Sequence, residues 1–123
     1  MSAPSYREER EQFIATMVRE LPEVRPREVA IFARKLMGLA KTHCRYQVMQ
    51  CGDGSPNQEA NCRYAEEREE ALEKRIEKLC KKYGTEAVFS GDPRGCTVKV
   101  AVPSGNTDDM GREGLCVPQP YNP

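Results

Sequence analysis

Between Tyr6 and Leu21 the apolar residues Phe13, Ile14, Met17, Val18 and Leu21 recur at spacings of three and four with Glu and Arg between them, which predicts a short amphipathic helix. Pro22 ends it. Pro26 can open the next helix, because a proline at the first helical position gives up only an amide that had no partner. From Pro26 to a point between His43 and Met49, the residues Val29, Phe32, Leu36, Leu39, His43 and Tyr46 keep a three-then-four alternation, with Ile31, Met37 and Ala40 widening the seam. This is expected to be the central helix, its seam packed inside the monomer. A seam of this length could also bury itself between two copies, so a homodimer is open.

The stretch CGDGSPNQ at 51 to 58 combines two glycines, a proline, an aspartate and an asparagine, and predicts a reversal of the chain. A third helix is expected from about Glu59 to Tyr83, with a thinner apolar line of Ala65, Leu72, Ile76 and Leu79 and a largely solvated face of Glu, Lys and Arg. Gly84 suits its C-terminal cap. After Gly84 the rhythm changes to two. Ala87, Val88 and Phe89 predict a strand, and Gly91-Asp92-Pro93-Arg94-Gly95 a turn. Cys96, Val98, Val100 and Val102 alternate with Thr97, Lys99 and Ala101 as a second, half-buried strand. Gly114 to Val117 is a weaker third strand before Pro118 and Pro120. The expectation is a two-layer α+β domain, with three N-terminal helices packed on a small C-terminal antiparallel sheet. Residues 1–123 would form a single domain, with 6–83 helical, 85–118 β, and 1–5 and 119–123 flexible ends.

Composition narrows the functional classes. Apolar residues make up 38% and charged residues 31% of 123, enough for one core with a highly charged surface. Nineteen basic residues balance nineteen acidic ones, so no global field draws the chain onto nucleic acid or an anionic membrane. The opening MSAPSYREEREQ has no apolar run behind a basic start, and no segment approaches the roughly 20 apolar residues of a membrane span. A cytoplasmic protein is therefore expected, and a reducing compartment makes buried thiols or metal ligands the favoured readings of the six cysteines.

The chemistry-bearing residues are few. His43 is the single histidine and lies on an apolar seam, where a satisfied core residue is the ordinary reading and catalysis a poor one. His43, Cys44, Cys51 and Cys62 surround one helix-loop-helix bend and could hold structural zinc. Against that, the set contains no CxxC or HxxxH pair, and His43 and Cys44 point about 100° apart on a helix. Cys96 and Cys116 could face one another if the third strand lies beside the second, although small apolar fillers are the ordinary reading. Arg94, at the apex of the turn beside Asp92 and with Lys99 on the following strand, is a candidate for binding a carboxylate or phosphate. Turn geometry accounts for Asp92, Pro93 and Gly95 but not for Arg94. The first two helices carry Arg25, Arg27, Arg34, Lys35 and Lys41, a basic face diluted by Glu23 and Glu28.

The helical hairpin with Cys44 near its bend, the strand, the GDPRGC turn, the VKVAVPSG strand and the closing NTDDMGREGLCV together resemble small uncharacterised proteins encoded by tailed phages, prophages and plasmids. The similarity covers roughly residues 36 to 118, with Asp92-Pro93-Arg94-Gly95 its most specific part. It implies an origin in a mobile element and transfers no activity. The expected function is that of a small non-enzymatic accessory protein binding a host, defence or phage protein, for instance as an inhibitor of a bacterial defence system. The alternative is a nucleic-acid-binding regulatory module, zinc-stabilised in one version, that uses the basic N-terminal helices. Nucleic acid is the less expected partner and a membrane is not expected.

Overall fold

The computed structural model describes residues 5–50, 58–91, 96–102 and 114–119. Three helices, α1 (Tyr6–Glu20), α2 (Pro26–Gln50) and α3 (Gln58–Lys82), precede three strands, β1 (Glu86–Phe89), β2 (Val98–Ala101) and β3 (Leu115–Cys116). The strands form one antiparallel sheet in the order β1-β2-β3, with Ala87 opposite Val100 and Val100 opposite Leu115. This is the α+β architecture that the change of rhythm after Gly84 predicts. Among the described residues no helix is long and apolar enough to cross a membrane.

Local chemistry sets the helix ends. Ser5 caps α1 by accepting a hydrogen bond from the Glu8 amide at 3.2 Å, and Glu8 and Glu9 place negative charge in the first turn, where the helix dipole favours it. Pro26 opens α2. At the end of α3 the chain adopts a left-handed turn at Gly84, φ 75°, and the Thr85 amide donates back to the Cys80 carbonyl. The Thr85 hydroxyl then donates to the Ala101 carbonyl, which ties the start of β1 to the end of β2.

One apolar cluster joins all three helices to the sheet: Phe13 and Met17 from α1, the Val29, Phe32, Leu36 and Ala40 line from α2, Leu72, Ile76 and Cys80 from α3, and Val98, Val100 and Val117 from the β part. Phe32 stacks on Tyr83 with ring centroids 4.4 Å apart. The α2 seam is therefore spent within the monomer along most of its length. Ile31 departs from its expected place, since at 43% exposure it faces outward while Ala33 takes the buried position.

Two expectations in the β part are corrected. Cys96 and Cys116 are not separate apolar fillers but a disulfide, because pairing of β3 alongside β2 brings their Cα atoms to 5.7 Å, within bonding reach. Lys99 is not a surface residue but 4% exposed: on the central strand it has Val88 of β1 and Cys116 of β3 directly opposite it, their side chains beside it on the same face of the sheet. Gly114 makes the close approach of β3 possible. Its φ is 150°, and a Cβ there would lie 2.9 Å from the Lys99 Cβ and 3.2 Å from the Val100 carbonyl oxygen. Gly114→Ala is expected to cost about 2 kcal/mol, read as a lower urea midpoint with unchanged helical circular dichroism.

Candidate functional site

His43 sits on the α2 seam one turn beyond Leu39 and is completely buried. Across from it on α3, Glu69 and Glu73 are four residues apart and so share a face. The His43 Nε2 is 2.8 Å from Glu73 Oε2 and 3.9 Å from Glu69 Oε1. Gln50, two turns along α2, donates from Nε2 to Glu69 Oε2 at 2.5 Å, which leaves Oε1 facing the ring. Phe89 of β1 closes the other side, its ring centroid 5.3 Å from that of His43. Gln47 donates to the Ser90 carbonyl at 2.6 Å and fixes the end of β1 beside this group.

Burial lowers the His43 pKa below its usual 6.5, outweighing the opposing pull of the Glu69 carboxylate, so the ring is neutral at pH 7. Burial also raises Glu69 and Glu73 and outweighs what opposes it: at Glu69, His43 and the Gln50 hydrogen bond pull down while Glu73 pushes up, and at Glu73 the hydrogen bond with Glu69 pulls down while Glu77 and Glu70 push up. Two carboxylates with a shared proton preference thus face a neutral imidazole whose Nδ1 has no hydrogen-bond partner among the described residues.

Among the described residues, His43, Cys44 and Cys62 of the metal set expected from sequence are not brought together as a metal-binding group. Cys44 receives a hydrogen bond from Gln119 Nε2 at 3.2 Å, and Cys62 points to the Gln50 and Met49 carbonyls at 3.6 and 3.9 Å. Cys51 lies outside the described residues. Among the described residues, the group brought within metal-binding distance is His43 with Glu69 and Glu73, their ligand atoms all within 4.8 Å of one another. Only His43 carries over. The carboxylates were hidden in a helix so rich in Glu that no spacing singles out the pair turned toward α2. Cys80 is buried, and its thiol is pushed up to about 12, first by burial and then by Glu77, which makes it an inert core residue.

A second feature lies on the same helix pair. An open groove of about 970 Å³ runs between α2 and α3, floored by Gly38, Leu39 and Leu79 and rimmed by Arg34, Lys35, Arg75, Lys78, Lys81 and Lys82. All six cations are exposed, and among the described residues no acidic one lines the groove. Lys81 and Lys82 also occupy the last turn of α3, where positive charge suits the helix dipole. That role accounts for neither Arg34 and Lys35 on the opposite wall nor the apolar floor. Of the basic face expected on the first two helices, Arg34 and Lys35 join this groove. The other expected contact residues, Asp92 and Arg94, lie outside the described residues. Comparison with protein-family models, with curated proteins and with solved structures finds no match to this chain.

Proposed function

We propose that this is a non-enzymatic binding protein that captures an acidic, amphipathic segment of a partner protein in the groove between α2 and α3. The observation that carries this reading is the pairing of an apolar floor with a rim of six exposed cations, with no acidic lining residue among the described ones. An amphipathic helix or strand would set apolar side chains against Leu39 and Leu79 and its carboxylates against the rim, a recurring mode of peptide capture. Opposite charge across the interface would speed and orient the encounter. The resemblance to phage and plasmid proteins makes a host, defence or phage protein the expected source of that segment, in the host cytoplasm.

A phosphate backbone would also meet the rim. It would leave the apolar floor unused, no aromatic side chain among the described residues lines the groove for base stacking, and the balanced net charge supplies no long-range field toward a polyanion. A non-enzymatic role accords with the single histidine being buried and engaged with Glu73 rather than placed beside a nucleophile.

A labelled acidic amphipathic peptide titrated by fluorescence anisotropy tests the reading. Binding should weaken as salt rises, and a peptide of equal charge without apolar residues should bind at least about 10-fold more weakly, because burying even one large apolar side chain is worth about 1.5 to 3 kcal/mol. Duplex DNA binding more tightly than the amphipathic peptide would reverse the order of the two readings.

A further inference from the structure

We propose that His43, Glu69 and Glu73 form a binding site for a divalent transition-metal ion of the zinc class, bridging α2 and α3 beside the groove. The donor set and its placement carry the argument. Zinc takes imidazole nitrogen at about 2.0 to 2.1 Å and carboxylate oxygen at about 2.0 to 2.2 Å, so tetrahedral ligand atoms stand roughly 3.3 Å apart. The observed separations from His43 Nε2 of 2.8 Å to Glu73 and 3.9 Å to Glu69 bracket that spacing, and small rotations of two glutamate side chains would equalise them.

The burial of the ring fits the same ion. His43 is wholly buried, and its Nε2 aims into the gap between the carboxylates. The glutamate side chains keep 17% and 28% exposure, so an ion reaches them from solvent and a water can complete the coordination. Gln50 acts as the outer partner that orients Glu69, in the way that metal-bound carboxylates are commonly held. One nitrogen and two carboxylates from rigid helices suit zinc, cobalt or nickel better than calcium, which collects six to eight oxygens, or magnesium, which keeps most of its water.

Proton balance is simple. The proton held in the 2.8 Å contact between His43 Nε2 and Glu73 leaves to solvent when the ion enters, and the ring, neutral with its proton on Nδ1, ligates through the freed Nε2 lone pair. No redox step is involved. The ion would offset the repulsion of the carboxylate pair and clamp the helices that form the walls of the groove.

Cobalt(II) titration of the full chain, stripped beforehand with chelator, provides the test, with zinc affinity measured by competition. One equivalent should bind with visible d–d bands and without a thiolate-to-cobalt charge-transfer band. Glu73→Gln and Glu69→Gln should each weaken affinity on the order of 100-fold, since outer partners alone are commonly worth 10- to 100-fold, while their helical circular dichroism stays unchanged. Cys62→Ser should bind as the unmodified chain does. The proposal fails if stoichiometric binding is not seen, or if binding survives both glutamine variants. It fails equally if binding carries a thiolate band and disappears in Cys62→Ser.

Discussion

Changing Arg75, Lys78 and Lys82 together to glutamate is expected to weaken binding of an acidic amphipathic peptide on the order of 100-fold while leaving the protein folded. The three positions follow the three-then-four spacing of one α3 face and are exposed on the rim of the groove. An exposed ion pair contributes about 0.2 to 1 kcal/mol, and reversing one partner replaces attraction with comparable repulsion. Three such changes come to roughly 3 kcal/mol, or about two orders of magnitude in affinity. The fold should tolerate them because none of the three side chains is buried, although a glutamate at 82 opposes the helix dipole at a cost of about 0.3 to 1 kcal/mol. The matching triple change to glutamine should fall between the two, which separates charge from lost packing. Affinity unchanged within about threefold would place the partner elsewhere on the surface.

Removing the disulfide by Cys96→Ala with Cys116→Ala is expected to cost about 3 kcal/mol, since the bond closes a span of 20 residues and restricts the unfolded chain accordingly. Its local effect should be larger than that total suggests. Strand β3 has two residues and meets β2 through Lys99 opposite Cys116 and Val100 opposite Leu115. Beyond that pairing, the Val117 amide donates to the Val98 carbonyl at 3.0 Å and the Val117 side chain is buried. Without the staple, amide exchange should rise first at Leu115 to Val117, with the helices unaffected. Urea midpoints of the oxidised, reduced and alanine forms check this, and equal midpoints would show that the bond adds nothing to the fold. The bond also bears on the compartment. Structural disulfides are rare in a reducing cytoplasm, so alkylation of Cys96 and Cys116 in intact cells reports whether the protein works there reduced.

The architecture was legible where one physical signal dominated. The α2 seam could be read because a helix buried against two neighbours must repeat its apolar residues every three to four positions. The sheet could be read because Val98, Val100 and Val102 alternate immediately after a turn. Ile31 was misplaced because an apolar residue beside a seam carries no mark of which flank is covered. Lys99 was misplaced because alternation assigns a charged residue to solvent, whereas on a central strand cross-strand neighbours, here Val88 and Cys116, stand beside it on both sides. The functional features were less legible for a reason of distance. Glu69 and Glu73 gain their meaning from His43, and Arg75 and Lys78 from Arg34 and Lys35, all across a helix pair that no local pattern aligns.

The most direct test of the groove as a docking surface is a series of ¹H–¹⁵N correlation spectra of the chain recorded as an acidic amphipathic peptide is added. Capture between α2 and α3 should move the amides of Arg34, Gly38, Leu39, Arg75, Leu79 and Lys82, leaving α1 and β3 where they were. Shifts confined to α1 or to the sheet, with those six amides unmoved, would contradict it.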